Sequence, residues 1–167
     1  NKPLKEEFLI AIMGPIYQSF LFLINNDLFL FYNINLLLFN LLPILPLDGS
    51  KILNIFLNKI FCFKKSHNIS IIISVTLIII LSFLKFNLIL FISIIFLILK
   101  TYKEYKIKDY LFNSFVFERC LYNFHFKKTK IIDNLSKMKR DYKHLIKIDN
   151  RYLLEKEYLN NFFKFTK

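Results

Sequence analysis

Long runs without a charged side chain constrain this sequence more than any other feature. No Asp, Glu, Lys, Arg or His occurs in residues 8–24 or in residues 28–47. Each run reaches the roughly 17 to 25 residues that a helix needs to cross the hydrocarbon core of a bilayer. A helix of a water-soluble protein would be interrupted by charge every few residues, because one of its faces meets water. Both runs therefore predict transmembrane helices.

Two further apolar runs, residues 69–84 and 86–99, are separated only by Lys85. A single helix through both runs would be too long for one crossing of the bilayer. We therefore predict an antiparallel pair with a turn at residues 85–87, where the Lys85 ammonium group reaches the interface. The four runs predict an all-α polytopic membrane protein with about four transmembrane helices and a small α+β cytoplasmic tail.

The basic residues are concentrated outside these runs. The chain has 24 Lys and Arg against 12 Asp and Glu, a formal net charge of +12, and the tail after residue 99 holds 17 of the basic and 8 of the acidic residues. Lysines also precede the first run and follow the second, whereas the loop at residues 25–27 has none. Because basic loops stay in the cytoplasm, we predict that both ends of the chain are cytoplasmic.

The basic tail also contains interleaved Tyr and Phe, a composition found in nucleic-acid-binding proteins. Lysines that lie next to anionic lipid headgroups account for the same composition. We predict that the tail contacts the membrane surface and binds no nucleic acid.

Residues 40–49, Asn-Leu-Leu-Pro-Ile-Leu-Pro-Leu-Asp-Gly, end the second apolar run. Pro43 and Pro46 each remove a backbone donor and clash with the preceding turn, so the helix must open here. Opened backbone in a membrane is tolerated where it is buried in protein or lines a wet cavity. Asp48 follows directly, and an ionisable residue at this depth is a candidate functional residue. For Asp48-Gly49 alone, the alternative is an interfacial turn that only ends the span.

This segment resembles the third metal-ligand motif of the site-2 type intramembrane zinc metalloproteases, peptidase family M50, in which an Asn, prolines and Leu-Asp-Gly occur at this spacing. The similarity extends to Gly14-Pro15, to residues 31–33 and to Glu118-Arg119, and it covers nearly the whole chain. Ser50 stands where the family often has a second Gly. The resemblance implies an intramembrane zinc metalloendopeptidase of the bacterial cell or forespore membrane, which cuts a membrane-associated precursor of the sporulation sigma-factor class.

The resemblance also assigns roles to residues of the segment. In the family, zinc is held by two His of an H-E-x-x-H helix and by the Asp of Leu-Asp-Gly, and it lowers the pKa of a bound water to about 7. Asp48 corresponds to that Asp and is the predicted metal ligand. Asn40, Pro43 and Pro46 are the predicted substrate-binding residues. A hydrogen bond between helices explains Asn40 equally well.

No H-E-x-x-H occurs in the 167 residues, so we predict no catalytic residue among them. His67, His125 and His144 are isolated in the sequence, and we expect solvated or packing roles for them. The chain starts without Met and enters a span almost at once, so we expect the general-base Glu and both His ligands upstream of Asn1. The alternative is a non-catalytic membrane scaffold or pseudoprotease remnant that binds the same clients. We also expect inhibitory membrane partner proteins and a homo-oligomer.

These patterns divide the chain into three segments: a membrane-embedded core at 1–99, a basic helical linker at 100–130 and a partial CBS-like module at 131–167.

Within the last segment, alternating residues predict a strand at 142–149, followed by a turn at Asn150-Arg151 and an amphipathic helix at 152–163. This order resembles the first part of a CBS-type regulatory domain, which implies that an adenine nucleotide binds there. A plain surface-associated tail is the alternative.

Overall fold

A computed structural model of the chain describes residues 4–24, 26–83, 88–122, 124, 126, 128–148 and 151–164. Its helices are α1 (Leu4–Phe20), α2 (Asp27–Asn40), α3 (Asp48–Ile60), α4 (Phe63–Ser82), α5 (Leu88–Leu121) and α6 (Glu155–Lys164). Its strands are β1 (Thr129–Ile132), β2 (Lys143–Ile148) and β3 (Arg151–Leu154). The predominance of helix and the small sheet in the tail agree with the predicted fold class.

Two helices of the described part are long and apolar enough to cross a membrane, by length and composition. They are Glu6–Leu23, which comprises most of α1 and the 3-10 turn after it, and Phe63–Ser82, which is α4. The second predicted run forms α2, which has only 14 residues, and the fourth lies in α5, which continues into the charged tail without a break. The predicted turn at residues 85–87 lies outside the described residues. The count of four crossings stays a prediction.

Large apolar side chains face outward along these helices. Leu23 after α1 is 83% exposed and Phe83 after α4 is 84% exposed, and many Leu, Ile and Phe residues of α2 and α5 are more than half exposed. A water-soluble monomer rarely has so large a continuous apolar surface. The outer surface is therefore suited to contact with lipid.

The predicted opening at the end of the second run is present. α2 ends at Asn40, and residues 41–47 form short-range turns, in which the Ile44 N–H donates to the Leu42 carbonyl and the Leu47 N–H donates to the Ile44 carbonyl. Pro43 and Pro46 lie in this stretch, and the peptide bond before Pro46 is cis. We call residues 40–49 the ligand segment.

The ligand segment is packed onto α4 and α5. Ile44 is fully buried and lies in one apolar cluster with Ile78 of α4 and with Ile94 and Leu97 of α5. Because lipid is as apolar as these side chains, the cluster stabilises the arrangement by close packing rather than by removing surface from water. A separate apolar cluster joins α1 to α3, in which Ala11 and Leu4 of α1 pack against Ile55 of α3.

The tail contains a three-stranded sheet in the order β1-β2-β3, with β1 parallel and β3 antiparallel to β2. The strand predicted at residues 142–149 is confirmed as β2. The prediction of helix at residues 152–154 was wrong, because these residues pair with β2, with Leu153 opposite Ile146, and α6 begins only at Glu155. Within the predicted helical linker, α5 ends at Leu121, because the following chain leaves the helix to pair β1 with β2.

The tail is attached to the helices by an apolar core and by hydrogen bonds. Phe115 of α5 stacks on Phe63 at the start of α4, with ring centroids 4.4 Å apart, and both contact the core formed by α5, the sheet and α6. The Phe63 N–H donates to the Met138 carbonyl at 2.9 Å. The sheet is thus held directly against the ends of two apolar helices.

Candidate functional site

Asp48 is the first residue of α3, directly after the opened backbone. A carboxylate in the first turn of a helix interacts favourably with the partial positive charge of the free N–H groups there. The side chain is 29% exposed, and Oδ1 accepts a hydrogen bond from Nζ of Lys51 at 2.7 Å, one turn along the same helix. The carboxylate is therefore fixed in position yet accessible from one side.

The other carboxylate oxygen lies against α1. A Cβ atom at position 14 would be 2.9 Å from Oδ2 of Asp48 and 3.6 Å from its Cγ, so Gly14 allows an approach that a side chain would prevent. Pro15 follows inside the same helix, where it removes a backbone hydrogen bond. Gly14-Pro15 resembles the family in sequence, but no local pattern connects it with Asp48.

Position 49 needs a glycine, because the backbone at the start of α3 lies very close to the backbone at the end of α2. A Cβ atom there would collide with the carbonyl groups of Leu41 and Leu42 at the end of the second run. The first turn of α3 therefore lies directly against the end of α2. This contact explains why glycine follows the aspartate in the ligand segment.

Both backbone polar groups of Leu45 are bonded to other helices. Its N–H donates to Oγ of Ser74 in α4 at 2.9 Å, and its carbonyl accepts from Oγ1 of Thr101 in α5 at 3.2 Å. Ser74 is 0% and Thr101 3% exposed. The sequence analysis missed both residues, although each is a hydroxyl residue within or just beyond an apolar run.

The three predicted substrate-binding residues lie in the same stretch as Asp48. Asn40 is the last residue of α2, and Asn40, Pro43 and Pro46 are all half-buried. Within the described part of the chain, the Asn40 amide forms no hydrogen bond to another helix, which is the alternative role considered for it. The assignment of these three residues to substrate stays a prediction.

A cavity of about 270 Å³ lies between α1, α3 and the tail. Its polar lining includes Glu7, Lys51, Asn54, Asn58 and Arg140. Lys51, which pairs with Asp48, is thus also part of the cavity lining.

Asp48 is the one predicted metal ligand of the sequence. No three His, Cys, Asp or Glu side chains in the described ranges lie close enough together to hold a metal ion. His67 lies in α4, 4.0 Å from Glu104, and His144 is buried in the tail beside Glu155. His125 lies outside the described residues. Asp48 fits the part of a single ligand, because its carboxylate is held at a helix start and is partly accessible.

The helices have an apolar outer surface, and an accessible carboxylate lies at the opened end of one of them. These features are typical of a helical membrane protein with a polar site between its helices. Residues 26–84, which include the whole ligand segment, match the model of peptidase family M50. Stage IV sporulation protein FB of Bacillus subtilis (strain 168) is 31% identical over an alignment of 137 positions, which covers 71% of this chain and 48% of that protein. The chain belongs to peptidase family M50, as the sequence analysis predicted, and this assignment implies a location in a membrane. The chain spans about half the length of the curated relative it matches.

Proposed function

We propose that these 167 residues form part of an intramembrane zinc metalloendopeptidase that performs regulated proteolysis of a membrane-associated precursor. The observation that carries this proposal is the position of Asp48, whose carboxylate lies at the start of α3 and against Gly14 of α1 within the residues that match the family. We propose four crossings of the bilayer, with both ends of the chain in the cytoplasm.

In this proposal Asp48 supplies one zinc ligand, and the two His ligands and the general-base Glu come from outside the 167 residues. A zinc ion held there would lower the pKa of a bound water to about 7. The residues of the chain itself orient the site. Gly14 admits the Asp48 carboxylate next to α1, and Lys51 holds Oδ1 of that carboxylate by a hydrogen bond.

The opened backbone gives the segment a second role, which is contact with an extended substrate. Pro43 and Pro46 keep residues 41–47 out of a helix, and the Asn40 amide at the edge of this stretch has no partner on another helix within the described residues. An amide in that place can pair with the backbone of an extended peptide. The name of the relative refers to stage IV of sporulation, and we propose a substrate of the sporulation sigma-factor precursor class.

One observation favours a second candidate, a pseudoprotease that binds the same clients without cutting them. Lys51 already neutralises Asp48 at 2.7 Å, so the carboxylate has a partner in the absence of metal. The two candidates differ in whether the wild-type protein cleaves the precursor at all.

The proposal is tested by co-expression of the full-length protein with the membrane-associated precursor, followed by an immunoblot of precursor and product. Asp48→Asn is expected to abolish cleavage. Asp27→Asn is the matched control, because Asp27 is also the first residue of a helix but is exposed and lies outside the ligand segment. Cleavage at the wild-type rate by Asp48→Asn would remove Asp48 from the site, and absence of cleavage by the wild-type protein would favour the pseudoprotease.

A further inference from the structure

The ligand segment is held in place by two hydroxyl side chains that lie far from it in sequence. Ser74 accepts the N–H of Leu45, and Thr101 donates to the Leu45 carbonyl. The Ser74 hydroxyl proton is used elsewhere, since Oγ donates to the Ser70 carbonyl at 2.8 Å, which leaves its lone pairs for the Leu45 N–H. The two bonds therefore have consistent donors and acceptors, and they reach the same residue from two different helices.

The opened backbone needs hydrogen-bond partners from other helices, because Pro43 and Pro46 keep it from forming helical hydrogen bonds of its own. In the apolar part of a membrane, backbone N–H and C=O groups must find partners within the protein. Leu45 lies between Pro43 and Pro46 and is buried, so neither water nor a neighbouring turn serves its two groups. Ser74 and Thr101 thus supply the hydrogen-bond partners that the opened helix lacks.

The backbone between Leu45 and Asp48 is short and fixed at both ends. The Leu47 N–H donates to the Ile44 carbonyl at 2.7 Å, and Oγ of Ser50 donates to the Leu47 carbonyl at 2.7 Å. Gly49 lies against the carbonyl groups at the end of the second run. A shift of Leu45 therefore moves Asp48, because no flexible residue lies between them.

We propose that Ser74 and Thr101 are positioning residues of the metal site, which fix Leu45 and thereby the placement of the Asp48 carboxylate. This inference rests on the proposed function, in which Asp48 is a zinc ligand. Groups that orient a metal ligand without touching the metal change metal affinity about 10- to 100-fold when they are removed. Ser74 and Thr101 lie on α4 and α5, outside the ligand segment.

The test uses purified full-length protein and measures the rate at which zinc is lost to a chelator. Thr101→Val removes the hydroxyl and keeps the shape of the side chain, and zinc is expected to leave about tenfold faster or more. Thr101→Ser keeps the donor and is expected to retain zinc like the wild type. Thr76→Val is the matched control, because its hydroxyl is exposed and bonds only within α4, to the Ile72 carbonyl. Ser74→Ala is expected to behave like Thr101→Val.

A second measurement requires no metal and detects the two hydrogen bonds to the Leu45 backbone directly. Amide hydrogen exchange of the peptide that contains Leu45 is expected to be faster in Ser74→Ala and in Thr101→Val than in the wild type or in Thr76→Val. If Ser74→Ala does not accumulate as folded protein, the comparison of Thr101→Val with Thr101→Ser decides the question alone.

The outcomes separate this inference from the proposed function. If Asp48→Asn loses zinc but Thr101→Val retains it as tightly as the wild type, the positioning role is wrong and the proposed function stands. If Asp48→Asn also retains zinc like the wild type, both are wrong. Faster zinc loss in Thr101→Val with recovery in Thr101→Ser supports the inference.

Discussion

The Asp48 carboxylate lies so close to α1 that a Cβ atom at residue 14 would be 2.9 Å from Oδ2, so a side chain there requires the carboxylate to shift. This contact joins the first apolar helix to the start of α3. It also places the candidate ligand, at the start of α3, between two helices.

Gly14→Ala should impair the site without harming the fold. Alanine favours the helical state over glycine by about 1 kcal/mol, so α1 itself should not lose stability. The new methyl group would push the carboxylate away, and we expect precursor cleavage and zinc affinity to fall about tenfold or more. The control is Ser19→Ala, an exposed change on the same helix. Cleavage by Gly14→Ala at the wild-type rate would show that the carboxylate does not need this position.

Gly49→Ala should have a different effect, because the collision there involves backbone and not a side-chain end. The Cβ atom would meet the carbonyl groups of Leu41 and Leu42, which cannot move without displacing the end of α2. We expect a loss of about 3 kcal/mol in the free energy of unfolding, at the upper end of the range for overpacked sites. The midpoint of thermal unfolding in detergent measures this loss, and a midpoint equal to that of Gly14→Ala would contradict it.

The sequence predicted the parts of this geometry that depend on neighbouring residues. Pro43 and Pro46 act on their own turns, so the opened helix and the position of Asp48 at its end could be predicted from the residue order. The contacts of Leu45 with Ser74 and Thr101 span 29 and 56 residues, and no local pattern indicates which hydroxyl meets which backbone group.

In the tail, too, local sequence patterns do not determine which secondary structure forms. Apolar and polar residues at 152–154 fit a helix as well as a strand, and only pairing with β2 decides between them. Arg119 was noted in the sequence as part of a resemblance. Its burial against Glu155, 36 positions away, depends on the packing of α6 onto α5.

The buried pair of Arg119 and Glu155 predicts an acid-sensitive attachment of the tail. Burial raises the pKa of Glu155, but hydrogen bonds from His144 and Arg119 outweigh it and lower the pKa from 4.5 to about 2. A carboxyl with a depressed pKa stabilises the folded state above its unfolded pKa, and this stabilisation is lost as the pH falls from about 4.5 toward 2. Amide exchange in β2 and α6 is therefore expected to become faster in that pH window.

Glu155→Gln should remove this dependence and weaken the tail at neutral pH. Loss of one partner of a buried ion pair leaves the other charge uncompensated, so we expect a destabilisation of roughly 3 kcal/mol. Glu157→Gln is the control, because it changes the same charge at an exposed position in the first turn of α6. Equal amide exchange in the two variants at pH 7 would contradict a structural role for Glu155.

The tail is also joined to α1 by Arg140, whose guanidinium group donates to both carboxylate oxygens of Glu7. The pair is partly exposed, so its coupling energy should be about 1 kcal/mol. A double-mutant cycle of Glu7→Gln and Arg140→Gln, read from thermal unfolding midpoints, measures this coupling. Glu6→Gln serves as the exposed neighbour that should change nothing. Additive effects of the two substitutions would mean that the pair does not fix the tail to α1.

The account depends above all on Asp48 as a zinc ligand, and the zinc content of purified full-length protein tests this most directly. The wild type and Asp27→Asn are expected to contain about one zinc ion per chain, as a single catalytic site requires. Asp48→Asn is expected to contain much less after dialysis against a weak chelator. Equal zinc content in Asp48→Asn and the wild type, or no zinc in either, would contradict the account.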